Sequence, residues 1–256
     1  MTNIQKLEAS GYTRFSAPAK LNLFLKVINK RKDGYHNIQS VFQLIDLHDD
    51  IFIKLREKDK QINIKNSSLL IKPENDLTFK AAQLMLIDRQ LGADIVINKN
   101  IPIGAGLGGG SSNAATVIMA INKLGKINMS KIDLIKHGLR LGADIPFFIN
   151  GKNAWVEGIG ELLNDIKITN STYVVIVPNL SINTKTIFSG FKLTNSPIPL
   201  KIASSYNAIN HDFVENDLEK TVIKKYVKMA NLLKWLRCFG NAKMSGTGSS
   251  IFIRAK

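Results

Sequence analysis

The chain has 256 residues, 45% hydrophobic and 21% charged, with a formal net charge of +15. That length allows one large domain or two ordinary ones with real cores; no run nears the roughly 18 apolar residues of a membrane span, and "MTNIQKLEASGYTRF" lacks a signal peptide's apolar centre. The single cysteine, Cys238, excludes an internal disulfide and a Cys-rich metal site, in keeping with a reducing, cytoplasmic setting.

In chain order, "KLNLFLKVI" (20–28) alternates: Leu21, Leu23, Leu25 and Val27 face one way, Lys20, Asn22, Phe24 and Lys26 the other. This predicts a strand with one apolar and one mixed face. Asp33-Gly34 marks a turn and "YHNIQSVFQLIDL" returns, so residues 20–47 read as a hairpin with a long tip. "DIFIKLRE" and "QINIKN" are further strands. From Asn75, "NDLTFKAAQLMLIDRQLG" has helical spacing and a C-terminal stop at Gly92. "ADIVINKNIPI" is a strand ending at the glycines, and "SSNAATVIMAINKLG" a helix with Ala114, Val117, Ile118, Ile121 and Leu124 on one face. Ser130 with Asp133 gives a capping-box pattern for a helix stopping at Gly142. "GADIPFFINGKNAWVEGIGE" reads as a turn and a strand pair, "YVVIVP" as a buried strand, 195–205 as a connector and 216–236 as a helix. A last glycine turn feeds "SIFI". The whole is an α+β chain, divided near residue 155 into domains 1–155 and 156–256.

Lysines are scattered in groups such as "NKRKDGYH" and "KKYVK", with no arginine-rich arm and no basic helical stripe. Scattered charge reads as a solvated surface, which disfavours a nucleic-acid partner and suits a polyanionic small substrate.

The segment "IPIGAGLGGGSSNAA" (101–115) joins a strand to a helix through five glycines between Gly104 and Gly110. Backbone N–H groups at a helix N-terminus attract anions, and glycines let a phosphate approach the main chain. A dinucleotide fold would need an acid about 20 residues on to hold a ribose, and the nearest candidate, Asp133, sits inside the next helix. No Gly-Lys-Ser/Thr follows, so a P-loop is excluded too. What remains is a phosphate cradle of another kind, with Ser111 and Ser112 placed to cap the helix and touch phosphate or its magnesium. A ligand-free glycine turn is the bland alternative, but so many glycines are entropically costly.

Asp144 is the best candidate for a proton receiver: it follows Gly142, precedes Pro146, and has Phe147 and Phe148 to dry its surroundings. Phosphoryl transfer needs such a group together with positioning and charge stabilisation. An ordinary turn aspartate is the competing reading. A lysine near it would keep that carboxylate ionised and polarise a hydroxyl; Lys20 taken alone reads as readily as a solvated strand lysine. The ring of Tyr35 offers a stacking face for a pyrimidine and His36 can read its edge, although either residue taken singly reads by default as a hairpin-tip aromatic or an exposed histidine. The four histidines show no metal-ligand spacing, and His48, His137 and His211 read as surface or core residues.

The glycine loop resembles the phosphate-loop motif of the GHMP small-molecule kinases. "APAKLNLFLKV" and "AKMSGTGSSIF" match two further blocks of that family in order. "PAKLNLFLKVINKRKDGYHNIQSVFQLIDLHD" and "GADIPFFINGKNAWVEGIGE" are similar to its branch that phosphorylates the cytidine diphosphate conjugate of methylerythritol. The resemblance implies a two-domain GHMP kinase fold with the active site in the interdomain cleft. It implies Mg2+ and ATP as cofactors, Asp144 as the catalytic base and Lys20 on the substrate side. Tyr35 and His36 would hold cytosine, with Phe188 as a second stacking face and Asn22 beside Lys20. The ATP phosphates would lie along Lys99, Pro102, Gly104, Gly106, Leu107, Gly108, Gly109, Gly110, Ser111 and Ser112. Gly246 and Gly248 of "SGTGSS" would line the site, a tight turn entering the last strand being the equal alternative. The expected partner is a small-molecule substrate, with no nucleic acid and no membrane, and the expected state is a monomer or weak homodimer.

The chain departs from the family's pattern at Asn75-Asp76-Leu77, at Ser250, where relatives often carry cysteine, and at Lys256, where relatives run on. The rival readings are another GHMP kinase acting on a mevalonate-type or sugar substrate, a truncated and idle nucleotide-binding protein, and a basic nucleic-acid binder.

Overall fold

The computed structural model describes residues 3–57, 59–66, 75–193 and 215–255. The predicted connector at 195–205 and His211 lie outside them. The chain divides into two compact units that interleave along the sequence. One holds Met1–Ala19, Ile45–Ile101 and Gly108–Gly151; the other holds Lys20–Leu44, Pro102–Leu107 and Lys152–Lys256. No helix among the described residues is long and apolar enough to cross a membrane.

The first unit is built on β4 (Leu91–Asn98). The second half of β2 (His36–Glu57) runs antiparallel to it, with Phe52 opposite Val96, and β3 (Ile62–Asn66) runs parallel on its other side. "DIFIKLRE" is therefore the continuation of β2. α1 is Asn3–Ala9. α2 (Leu77–Leu86) begins where the Asp76 carboxylate accepts the Thr78 N–H and packs on α3 (Gly109–Leu124). Ala114, Val117, Ile118 and Ile121 of α3 are fully buried, as the helical spacing required.

α4 (Lys131–Leu139) has the expected cap, Ser130 accepting from Asp133 N–H. Two expectations fail here. Gly92 does not stop a helix; it lies in β4, where a β-carbon would come within 2.7 Å of Gln61 O, so the backbones leave room only for glycine. The residues after Gly142 form a helix, α5 (Ile145–Asn150), because Pro146 in its first turn suits a helix start and Gly151 (φ 69°) closes it.

In the second unit β1 (Thr13–Lys30), from Lys20 onward, pairs with the first half of β2 as the predicted hairpin. Its tip closes through Arg31 N–H to Tyr35 O at 2.8 Å, with Gly34 at φ 88°. Both faces of β1 are buried between Lys20 and Leu25. The supposed mixed face is covered too: Phe24 packs on Trp155 at 5.5 Å between ring centroids. β5 (Ala154–Glu157) and β6 (Leu162–Asp165) extend from β2.

A three-stranded sheet follows, in the order β7 (Tyr173–Ile176), β9 (Ile251–Arg254), β8 (Lys243–Met244). Among the described residues β7 is thus an edge strand, with Val174 exposed; its apolar run reflects β-propensity more than burial. α6 is Thr184–Gly190. The expected helix at 216–236 is two, α7 (Glu219–Lys225) and α8 (Val227–Leu236), because Tyr226 takes an extended conformation between them. Leu25, Val27, Ile187, Leu218, Val222, Met229 and Leu233 share one core, where each buried aliphatic side chain contributes about 1.5–3 kcal/mol.

Candidate active site

In the second unit, strand alternation puts Lys20 and Asn22 on one face of β1, both buried. Lys20 Nζ donates to Asn22 Oδ1 and stands 4.3 Å from the centroid of the Phe42 ring, where the π-face compensates part of the ammonium's lost hydration. Asn22 Nδ2 donates to Ser40 Oγ at 3.1 Å. Asn22 N–H donates to Ser245 Oγ at 3.0 Å, and that hydroxyl donates onward to Gly106 O at 3.2 Å.

The first half of the glycine loop is gripped at three successive residues. Ala105 O accepts Ser250 N–H at 3.0 Å, Gly106 O accepts the Ser245 hydroxyl, and Leu107 O accepts Lys20 N–H at 3.0 Å. Gly106 (φ 76°) has no room for a side chain: a β-carbon would lie 2.5 Å from Ser245 O and 2.9 Å from Gly248 O. Gly104 (φ 68°) and Pro102 are exposed. Gly246 and Gly248, at φ 57° and 81°, turn the "SGTGSS" loop past Asn22 and Gly106. The sequence motifs at 20–22, 104–107 and 245–250 therefore meet in one place.

The aromatic residues separate. His36 is 7% exposed, its ring 5.3 Å from that of Phe188 and 6.4 Å from Phe191. Burial first, then the positive charge of Lys30, pushes the His36 imidazole below its ordinary value. Tyr35 is 61% exposed, its backbone N–H bound to Asp33 Oδ1. Phe191 was not anticipated; no local signal distinguishes it from other loop aromatics.

In the first unit, α3 starts from Gly108 in a left-handed conformation (φ 73°), with no side-chain cap. Ser111 and Ser112 lie inside the first turn and do not cap the helix, since a left-handed N-cap is glycine's role. Ser112 Oγ and Asn113 Oδ1 are buried and have no hydrogen-bond partner among the described residues. Gly110 is exposed, and a β-carbon on Gly109 would lie 3.2 Å from Lys99 Nζ, so that ammonium sits at the helix N-terminus. Lys99 pairs with Asp49, whose fully buried carboxylate also accepts Asn100 N–H at 2.7 Å and Ile101 N–H at 2.8 Å. Asp49 thus anchors the strand-to-loop transition; one acid in "DLHDD" carries no signal of that. Asp144 heads α5 at its N-cap position, half-buried, without capping the helix through its side chain.

Family models match both parts of the chain: GHMP kinases N terminal domain over residues 76–152 and GHMP kinases C terminal over 201–256. The 4-diphosphocytidyl-2-C-methyl-D-erythritol kinase of Herminiimonas arsenicoxydans is 43% identical over 241 residues, covering 92% of this chain and 84% of that protein. The chain belongs to the 4-diphosphocytidyl-2-C-methyl-D-erythritol kinase family.

The Thiobacillus denitrificans member of that kinase family is 42% identical, covering 93% of this chain and 84% of its own length. A crystal structure of 4-(cytidine 5'-diphospho)-2C-methyl-D-erythritol kinase superposes with a TM-score of 0.82 at 29% identity, over 95% of this chain and 90% of that one. The Methanococcus jannaschii mevalonate kinase shares the fold, with a TM-score of 0.66 at 18% identity over 96% and 91% of the two chains. The GHMP kinase fold expected from the sequence is the fold of this member of the 4-diphosphocytidyl-2-C-methyl-D-erythritol kinase family.

Proposed function

We propose that this protein transfers the γ-phosphate of ATP to the 2-hydroxyl of 4-diphosphocytidyl-2-C-methyl-D-erythritol, in the non-mevalonate isoprenoid pathway. Asp144 receives the hydroxyl proton, and Lys20, held by Asn22, orients and polarises the hydroxyl. An aspartate carboxylate is a weak base, so positioning matters as much as proton affinity. The observation that carries the reading is the convergence of three separate sequence motifs on Asn22, Gly106 and Ser245, in a chain whose relatives bear that kinase name.

ATP phosphates would lie along Pro102–Ser112, where the N–H groups at the N-terminus of α3 supply positive potential beside Lys99, whose own charge is shared with Asp49. Among the described residues no group of three or more His, Cys, Asp or Glu could hold a metal ion. Magnesium would be held chiefly by the nucleotide's own phosphates, offsetting their charge. Ser112 Oγ, without a partner among the described residues, fits a ligand of that ion or of phosphate. His36 and Phe188, with Tyr35, would receive the cytosine. The domain boundary near residue 155 belongs to the same reading, since it falls between the two family-model matches. So does a cytoplasmic monomer or weak homodimer acting on small molecules alone.

The test is a coupled ADP-release assay with the cytidyl substrate beside mevalonate, homoserine and galactose. Turnover is expected with the cytidyl substrate alone, falling about 10²–10⁴-fold in Asp144→Asn. Turnover with another substrate, or an undiminished Asp144→Asn, contradicts the assignment.

A further inference from the structure

Asn216 lies in the short segment before α7 and is 6% exposed. That segment runs parallel to β1: Leu25 N–H donates to Glu215 O at 3.3 Å, and Asp217 N–H donates to Leu25 O at 2.8 Å. Val27 N–H completes the attachment by donating to Asp217 Oδ2 at 2.8 Å. From this anchored position the Asn216 amide reaches the second glycine loop. Its Nδ2 donates to Met244 O at 2.9 Å and to Gly246 O at 2.7 Å, while its Oδ1 accepts Leu218 N–H at 3.0 Å.

Both amide hydrogens and the carbonyl are thereby used, which no other side chain of that length can reproduce: aspartate brings no donor when ionised, and serine brings one. The two carbonyls it holds belong to the residues on either side of Ser245. Ser245 in turn binds Asn22 N–H and Gly106 O. Asn216 thus fixes the loop from behind at the point where the loop meets the strand bearing Lys20. Gly246 and Gly248 both sit at positive φ, so ordinary backbone preferences do not set the loop's path and its carbonyls need fixed donors.

We propose that Asn216 is a positioning residue for phosphoryl transfer, holding Ser245 and Gly246 in register with Asn22 and Gly106, so that it governs turnover and leaves cytidine affinity alone. The proposal rests on the kinase reading above. A displacement near 1 Å in such a frame can cost about 10²-fold in rate. The cytidine-side residues His36 and Phe188 are not among the partners of the Asn216 side chain.

Wild type, Asn216→Asp and Asn216→Ser are compared by ADP release, by calorimetric binding of CDP and by thermal melts, with rates taken well below each Tm. The expected result is a fall in kcat of about tenfold to hundredfold in both variants, with the Kd for CDP within about twofold of wild type. If the buried carboxylate of Asn216→Asp prevents folding, the neutral Asn216→Ser carries the comparison. Unchanged kcat overturns the proposal. So does a kcat that falls only in step with CDP affinity and folded fraction, or the unfolding of both variants, since each makes Asn216 merely structural. A wild type that turns over no substrate brings down the kinase reading itself, whereas an active wild type with unimpaired variants defeats this inference alone.

Discussion

The rings of His36 and Phe188 lie 5.3 Å apart with 31° between their planes, so two residues distant in the chain form one aromatic wall. Loss of one ring from a base-stacking wall costs about 1–3 kcal/mol. Phe188→Ala is therefore expected to raise KM for the cytidyl substrate about tenfold or more, with KM for ATP unchanged. Steady-state kinetics with each substrate varied in turn decides it; an equal rise for ATP would show that the wall does not serve the cytidine.

The same wall has a pH signature. Burial, then Lys30, holds the His36 imidazole below its ordinary value. The unfolded chain takes up this proton near pH 6.5 while the folded chain resists it until lower pH. Between those two values the unfolded state binds more protons, so folding stability falls as pH falls. The urea midpoint is expected to drop on acidification from about pH 7.5 to about 5.5, and His36→Gln to reduce that drop. An NMR titration placing the His36 pKa at or above its ordinary value would refute this.

Gly106→Ala tests the crowding where the two glycine loops meet. The new methyl would meet Ser245 O at 2.5 Å and Gly248 O at 2.9 Å, at a positive φ. Positive φ alone costs an L-residue about 1–2 kcal/mol, and backbone carbonyls cannot rotate aside as a side chain would. The variant is expected to lose ADP release and to melt lower than wild type. Gly104→Ala, with only Ser181 Oγ among the described residues within 4 Å of the added carbon, at 3.9 Å, should lose less of both. Equal losses would mean that backbone strain, and not the close approach, matters.

Asp49 and Lys99 form a pair whose carboxylate side is fully buried. Removing one partner of such a pair leaves the other uncompensated and costs about 3–5 kcal/mol. Asp49→Ala also strips the acceptor from Asn100 and Ile101 N–H, so its unfolding free energy should fall by at least the lower figure. Asp49→Asn, which keeps one acceptor, should lose less. Denaturant titrations of both variants measure this, and a near-neutral Asp49→Ala would show that the loop holds its path without the anchor.

The sequence alone determined the features that depend on neighbours in the chain. The strand at 20–28, the Asp33-Gly34 turn, the Ser130 cap and the apolar face of α3 rest on short-range patterns, and each appears in the structure. The glycine motifs and the family resemblance were equally legible, because a loop that turns at positive φ and passes close to another backbone admits few residues other than glycine.

Tertiary structure decided what depends on residues far apart in sequence. Gly92 reads as a helix stop until Gln61 and Asp59 close over it. The face of β1 that bears Lys20, Asn22 and Phe24 reads as half polar until Trp155, Phe42 and Ser245 cover it. Asp49 and Asn216 look like ordinary polar residues. Only the fold sets one beneath Asn100 and Ile101 and the other behind Met244 and Gly246. The physical reason is the same in each case: a buried polar group takes its meaning from the partners that satisfy it, and those partners are brought by folding, not by adjacency in the chain.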